Sequence, residues 1–335
     1  MNPSLNRRTF LKGAALAPLA AATGLGLGGA AFALAAVEPI KRTGGPSLKA
    51  SLNAYSFAKL LNDQLLGRGA GISLLDLVDF CAKHGFDGID PTAYYFPGYR
   101  ERKLPPDKFI FELKRRAFEQ GIGISGTGTG NNFTVADKAA RAKDVEWIKQ
   151  TVEVAAKLGA PVLRVFADTQ MRAQTWETVS NGATRNQVEE WIAADIRACA
   201  EHAAKFGVII GVQNHGDFLK TAADLISLIK RVDSPWCGAI VDTGYFKAAD
   251  PYAEMAKVAP YAVNWQVKQS PFGVEKEAEA PTDLKKLLRI VRASGYRGYL
   301  PIETLSPRGG GGNYDPFTAV PKFLAELRQA IAETA

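Results

Sequence analysis

Short apolar runs alternate with longer amphipathic stretches along most of this chain. The apolar runs predict buried strands at Ala50–Tyr55, Phe86–Pro91, Ile122–Gly126, Val162–Phe166, Val208–Gln213, Gly238–Asp242, Ala262–Val267 and Tyr299–Glu303. The amphipathic stretches predict helices at Ser73–His84, Pro106–Gln120, Val135–Leu158, Asn186–Phe206, Thr221–Val232, Pro251–Lys257, Thr282–Ser294 and Pro316–Thr334. Glycine follows several of these helices, for example Gly85, where a left-handed C-cap would end the helix.

Eight strand–helix units in about 285 residues are typical of an α/β fold, the (β/α)8 TIM barrel. A doubly wound parallel sheet is the alternative. No repeat and no internal linker divides this region, so we expect a single domain from residue 48 to residue 335. Two glycine-rich stretches, Gly126–Gly130 and Gly309–Gly312, follow strands three and eight. In a barrel both would be loops of the catalytic face, and we expect the first to be a flexible active-site loop.

The first 36 residues have the pattern of an export signal. The phrase at 6–12, Asn-Arg-Arg-Thr-Phe-Leu-Lys, precedes a run of small apolar residues that contains A-x-A cleavage sites. It resembles the twin-arginine signal, except that Asn6 departs from the usual first residue. An uncleaved membrane anchor is the alternative, because the apolar run is long enough to span a bilayer. The sequence predicts a signal peptide at 1–36, a linker at 37–47 and a periplasmic or secreted barrel.

Charge and cysteine content exclude several classes of protein. The formal charge is +7, and it falls to +4 when the three cations of the signal are removed. The remaining cations are scattered and form no basic stripe with interleaved aromatic residues, so we expect no nucleic-acid partner. Cys81, Cys199 and Cys237 are odd in number, widely spaced and surrounded by apolar residues. They predict buried thiols and neither a disulfide framework nor a zinc site.

Polar side chains collect where the predicted strands end. Active groups of TIM barrels project from the carboxyl ends of the strands, so these residues are candidates for a common site. They are Asp90, Arg164, Asp168, Gln213, Asn214, His215, Asp242, Asn264, Gln266, Lys268 and Glu303. Asn264, Gln266 and Lys268 alternate along one strand and therefore share a face. We expect that face to point into the barrel.

Five short phrases resemble the xylose-isomerase-like barrels, a family that includes sugar-phosphate isomerases and ketose epimerases. They are Gly85-Phe86-Asp87-Gly88-Ile89-Asp90, Val212-Gln213-Asn214-His215, Val241-Asp242-Thr243-Gly244, Gln266-Val267-Lys268 and Pro301-Ile302-Glu303. The resemblance covers roughly residues 48–332. It implies a divalent metal held at four positions, which here are Gln213, Asp242, Gln266 and Glu303. The family's usual Glu and His are replaced by Gln213 and Gln266.

The four positions still offer oxygen donors, which suit Mg2+ or Mn2+ better than zinc. Two carboxylates without an imidazole should hold such an ion weakly, and an empty site is the alternative.

The same replacement restricts the chemistry. Family epimerases use two Glu residues, and an amide at 213 cannot act as a general base. A one-base reaction remains, in which Glu303 removes a proton next to a carbonyl and the metal or Lys268 stabilises the enediolate. His215 would serve as a second acid or base. These roles fit a sugar isomerase or epimerase-like enzyme, or a lyase that begins with the same step.

Further residues are expected to bind the substrate, an unphosphorylated sugar or keto-sugar. They are Asp90, Arg164, Asn214, Asn264 and Tyr95. The alternative from another class of protein is a carbohydrate-binding barrel without catalysis, whose metal site has decayed. The family resemblance also implies that the barrel can form a homodimer.

Overall fold

A computed structural model describes residues 37–170, 174–269, 281–305 and 314–335. The predicted signal at 1–36 and the predicted loop Gly309–Gly312 lie outside these residues. Within the described chain, nine strands form one parallel sheet that curves into a nearly closed barrel. They are β1 Ser47–Asn53, β2 Gly88–Asp90, β3 Gly123–Ile124, β4 Thr127–Gly128, β5 Val162–Phe166, β6 Ile209–Gln213, β7 Cys237–Asp242, β8 Ala262–Lys268 and β9 Arg297–Glu303.

Helices follow the strands and cover the outside of the barrel. They are α1 Ala58–Leu65, α2 Leu74–His84, α3 Asp107–Glu119, α4 Lys138–Leu158, α5 Trp176–Val179, α6 Arg185–Ala204, α7 Ala222–Val232, α8 Pro251–Val258, α9 Leu284–Ala293 and α10 Pro316–Glu333. The two short helices α1 and α5 were not predicted from the sequence pattern. The TIM-barrel prediction is confirmed.

The third predicted strand is divided into two pieces, which raises the strand count from eight to nine. β3 pairs with β2, whereas β4 pairs with β5, so the two ends of the sheet are neighbours along the chain. Ser125 lies between them and donates its backbone N–H to Ile89 at 2.9 Å. The barrel therefore closes through the continuous chain at 125–126.

Local sequence signals fix the helix ends. Ser73 accepts a hydrogen bond from the backbone N–H of Asp76, whose side chain in turn accepts from the backbone of Ser73. This reciprocal capping box begins α2. Gly85 ends the same helix with φ of 76°, a conformation that costs residues with a Cβ more than it costs glycine.

The apolar core lies between the helices and the barrel wall. Leu52, Val165, Val212 and Ile302 are fully buried strand residues of this core. The three cysteines are also buried and free, as predicted.

The interior of the barrel includes a polar layer. The hydroxyl groups of Ser51 and Ser125 lie 2.6 Å apart, and Asn264 donates to the backbone oxygen of Ser125 at 3.1 Å. The alternation of strand side chains brings these residues inward. Polar side chains therefore occupy the inside of the barrel between this layer and the carboxyl ends of the strands.

The predicted linker packs against the barrel. Ile40 donates its backbone N–H to Pro260, and the Arg42 side chain donates to the backbone oxygen of Ala262 at 2.5 Å. Among the helices that the structure describes, none has the length and hydropathy needed to cross a membrane.

Candidate active site

A cavity of about 400 Å3 opens at the carboxyl ends of the strands, a volume typical of small-molecule sites. Its lining combines charged groups, amides and aromatic rings. The lining residues are Asn53, Tyr55, Thr92, Tyr94, Arg164, Phe166, Gln170, Gln213, His215, Tyr245, Gln266, Lys268, Glu303 and Leu305. Of the site residues predicted from the sequence, Arg164, Gln213, His215, Gln266, Lys268 and Glu303 reach this cavity.

Lys268 and Glu303 form a buried ion pair at its base. Strand register places Lys268 opposite Glu303, and the ammonium Nζ lies 2.5 Å from Glu303 Oε1. Asp242 Oδ2 lies 3.6 Å from the same nitrogen. Lys268 is only 1% exposed, which disfavours its charge, but Asp242 and Glu303 raise its pKa above the usual value. The site therefore contains an ammonium group shared between two carboxylates.

Asp242 is held from several sides. Its carboxylate accepts from the Gln213 amide at 2.5 Å and from the backbone N–H of Gly244 at 2.9 Å. Burial raises its pKa to about 6, although Lys268 opposes that shift. The side chain of Asn214 exchanges two hydrogen bonds with the Asp242 backbone. Asn214 is fully buried and joins β6 to β7, so the structure gives it a role in positioning Asp242 and does not bring it to the cavity.

Arg164 is stacked between two aromatic rings. Its guanidinium carbon lies 4.1 Å from the centre of the Phe166 ring and 5.2 Å from that of Tyr94. Burial opposes its charge, but Tyr94 and Asp90 raise its pKa. A cation held in this way is prepared to donate hydrogen bonds to a polar ligand.

Asp90 lies buried beside Arg164, outside the cavity lining. Burial raises its pKa to about 6, which Arg164 opposes. Its Oδ1 has no hydrogen-bond partner among the described residues. A buried acceptor of this kind has a capacity that a ligand hydroxyl would satisfy.

His215 lies between the rings of Phe166 and Tyr245, at centroid distances of 5.0 and 4.0 Å. Burial, followed by the charge of Lys268, lowers its pKa well below the usual value. Its ring is therefore neutral near pH 7, and within the described structure Nδ1 has no partner. The neutral ring has one nitrogen that donates and one that accepts.

Asp168 holds the loop that carries His215. Its carboxylate accepts from the backbone N–H groups of His215, Phe218 and Leu219 at 3.1, 2.7 and 2.8 Å. The side chain is completely buried. Asp168 thus positions the loop after β6 and does not line the cavity.

Besides Asp90 and Asn214, two further predicted substrate residues lie outside the lining of the mouth cavity. Asn264 lines a separate cavity at the opposite end of the barrel, because it precedes Gln266 by two residues and so lies one layer lower. Tyr95 is 3% exposed, and its neighbours Tyr94 and Tyr55 line the mouth in its place. Asn53 and Tyr55 were missed, although the rule that polar strand ends form the site also applies to β1.

The glycine-rich stretch after β3 differs from the expected flexible loop. A Cβ on Gly128 would lie 2.5 Å from Arg164 Nε, and one on Gly126 would lie 3.1 Å from the Asn264 amide nitrogen. These glycines make room for side chains that cross the barrel. Gly128 in β4 is buried and belongs to the wall.

The four positions implied by the family resemblance do not fit a divalent metal in this arrangement. Gln213 and Gln266 direct amide N–H groups, and not oxygens, at Asp242 and Glu303. The ammonium of Lys268 already contacts both carboxylates. Among the described residues, no group of three or more His, Cys, Asp or Glu side chains is arranged to hold a metal.

Comparisons with known proteins agree with the fold. A family model for the xylose isomerase-like TIM barrel matches residues 78–328. A search of curated protein sequences finds no significant match.

Solved structures resemble this barrel over most of their length at low sequence identity. The 3-keto-D-glucoside 4-epimerase YcjR of E. coli has a TM-score of 0.62 and 16% identity, over 85% of this chain and 99% of that one. A D-psicose 3-epimerase determined in the presence of D-fructose has a TM-score of 0.64 and 16% identity, over 85% of this chain and 98% of that one. The probable 3-DHS dehydratase AsbF of Bacillus anthracis has a TM-score of 0.59 and 17% identity, over 83% of this chain and 98% of that one.

Proposed function

The chain belongs to the xylose isomerase-like TIM-barrel family, and from this premise we propose that it is a sugar isomerase or epimerase-like enzyme that acts by proton abstraction. Its substrate is an unphosphorylated sugar or keto-sugar. The family's structural neighbours include sugar epimerases and a probable dehydratase, which supports a reaction of this class. The observation that carries the proposal is the buried Lys268–Glu303 pair at the base of the mouth cavity.

Glu303 is the proposed general base. Its carboxylate removes a proton from the carbon next to a carbonyl. The electron pair of that C–H bond forms a C=C bond, and the π electrons of the carbonyl move to its oxygen. The ammonium of Lys268, which has three N–H donors, stabilises the resulting enediolate. A proton then moves from the hydroxyl on the deprotonated carbon to the enediolate oxygen, and return of the abstracted proton to the former carbonyl carbon completes an isomerisation. None of these reaction steps requires a metal ion, because the Lys268 ammonium supplies the positive charge.

The aromatic rings and Arg164 are proposed to bind the sugar. Tyr55, Tyr94 and Tyr245 line the cavity and offer ring faces together with hydroxyl groups. Arg164 lines the same cavity and supplies a donor for hydroxyl groups.

Elimination is a second candidate because of His215. Its ring lines the same cavity and, as a neutral imidazole, can donate a hydrogen bond that stabilises a leaving oxygen. A lyase would begin with the same abstraction by Glu303. The product separates the two reactions: isomerisation keeps every atom of the sugar, whereas β-elimination releases water or an alcohol.

Solvent exchange in D2O tests the common first step. Proton NMR would follow the hydrogens next to the carbonyl in a panel of unphosphorylated aldoses, ketoses and 3-keto-glycosides. We expect the wild-type protein to exchange such a hydrogen in at least one sugar. Glu303→Gln should slow that exchange about 1,000-fold, because the amide is not a base.

A matched control distinguishes loss of the base from loss of an ion pair. Glu254 pairs with Lys257 at 2.6 Å on α8, away from the mouth, so Glu254→Gln should leave the exchange rate unchanged. If no sugar exchanges and Glu303→Gln binds sugars as well as the wild type, the barrel is a binding protein and the proposed function is wrong.

We also propose that the barrel acts after export. The support is the sequence at 6–12, with Arg7-Arg8 ahead of an apolar run. When the full-length chain is expressed in a bacterial host with a twin-arginine pathway, the protein should be found in the periplasm and should have been cleaved before about residue 37. Replacing both arginines by lysine should leave it in the cytoplasm. The same distribution between cytoplasm and periplasm for the wild type and the double-lysine variant would contradict this proposal.

A further inference from the structure

One side chain occupies the place where the family resemblance implies a metal. Two of the four implied positions, Asp242 and Glu303, contact the ammonium of Lys268, which lies 2.5 Å from Glu303 and 3.6 Å from Asp242. The lysine is held along its backbone as well. Its N–H donates to Thr243 Oγ1 at 2.9 Å, and its carbonyl accepts from Thr282 Oγ1 at 2.7 Å.

A chain of hydrogen bonds fixes the orientation of Gln266. The backbone N–H of Tyr55 can only donate, and it donates to Asn53 Oδ1 at 2.8 Å. The other end of that amide, Asn53 Nδ2, therefore faces Gln266 and donates to its Oε1 at 3.1 Å. This leaves Gln266 Nε2 to face the Glu303 carboxylate.

This series of hydrogen bonds determines whether Gln266 can act as a metal ligand. If the amide of Gln266 turned its oxygen toward Glu303, its NH2 group would face the NH2 group of Asn53, and two donors would oppose each other. Gln266 thus presents a donor to Glu303, whereas a metal requires a lone pair. Gln213 is oriented in the same sense, because only its amide nitrogen can approach a carboxylate oxygen at 2.5 Å.

The positive charge of Lys268 also disfavours a divalent cation at this site. A divalent cation bound to both carboxylates would lie within a few ångströms of the ammonium, in a site shielded from water. Repulsion between like charges is strong at that distance and burial. Lys268 is 1% exposed, so its ammonium stays next to the two carboxylates.

We infer that the Lys268 ammonium takes the place of the divalent cation and that this barrel binds no metal at its mouth. The inference deepens the proposed function and rests on it only for the role of Lys268 toward an enediolate. The two can fail separately, because the test below measures metal binding and stability as well as turnover.

The test uses the full chain, dialysed against EDTA and titrated with Mn2+. Electron paramagnetic resonance reports free Mn2+, and thermal unfolding reports bound Mn2+. We expect the wild type to leave millimolar Mn2+ free and to keep the same Tm with and without it. One Mn2+ bound per chain at micromolar concentration, and lost in Asp242→Asn, would overturn the inference.

Lys268→Met supplies the second measurement. Removal of the ammonium leaves two buried carboxylates without a cation, so we expect the Tm to fall by about 10 °C and the solvent exchange to be lost. The control Lys257→Met removes an exposed partner of Glu254 and should change neither quantity. A Lys268→Met protein with wild-type Tm and exchange rate would also overturn the inference. If this variant fails to fold, the wild-type titration still decides.

Discussion

Arg164 shows how a single residue of the site depends on a residue that has no side chain. Its guanidinium crosses the barrel wall next to Gly128, where a Cβ would lie 2.5 Å from Nε and 2.6 Å from an Nη atom. Stacking on Phe166 and Tyr94 leaves the guanidinium little freedom to move aside. The absence of a side chain at 128 is therefore a requirement for the position of Arg164 in the mouth cavity.

Gly128→Ala should displace Arg164 while the barrel still folds. We expect KM for the sugar identified by solvent exchange to rise about tenfold, which corresponds to about 1.4 kcal/mol of lost binding. Steady-state kinetics would measure it. Gly45→Ala is the control, because a Cβ there meets nothing within 4 Å. An unchanged KM in Gly128→Ala would show that Arg164 does not contact the substrate.

Among the structural elements, the loop after β6 depends most on one buried group. Asp168, at the end of β5, accepts three backbone N–H groups between residues 215 and 219. A Cβ on Gly216 would lie 2.7 Å from the Asp168 Cβ, so the loop and the carboxylate are in close contact. The position of His215 is in this way determined by a residue from the neighbouring strand.

Asp168→Asn should loosen this loop. The amide would place one NH2 group against backbone donors, which costs about 1–3 kcal/mol of the free energy of unfolding. Denaturant unfolding would measure this loss, and solvent exchange should slow with it. Asp137→Asn is the control, since Asp137 caps α4 through two backbone N–H groups and Asn caps equally well. Equal stability of both variants would contradict this role of Asp168.

The elements also show what the sequence could predict. Strand β5 was predicted at its observed bounds, Val162–Phe166, because four of its five residues are apolar and buried, with Arg164 between them. The division of the third strand was missed, since glycines carry no hydrophobic signal. Helix α1, Ala58–Leu65, was missed because polar residues interrupt its short pattern.

At the scale of the whole molecule, parallel strands bring distant residues to one end of the barrel. Register places Asp242 opposite Gln266 and Lys268 opposite Glu303, which joins three strands at one point. The sequence predicted that these residues would meet, from their positions at strand ends. It could not predict the direction of each amide or the place of the ammonium, because those depend on contacts between strands.

The same limit explains the misplaced residues. Asn264 shares a strand face with Gln266 and Lys268, but its depth in the barrel depends on how far the strand is shifted against its neighbours. Those shifts, including the irregularity between Ala239 and Ile240, are not visible in the sequence. Residue types alone likewise do not give the orientation of Gln213 and Gln266, on which the proposal of a mouth without a metal rests.

We propose that Glu303 and Lys268 enolise a sugar without a metal. The most direct measurement is the rate of solvent exchange next to the carbonyl, by proton NMR in D2O, with wild-type protein freed of metal by EDTA. The rate should be the same before and after addition of millimolar Mn2+. Exchange that appears only after Mn2+ is added would contradict it.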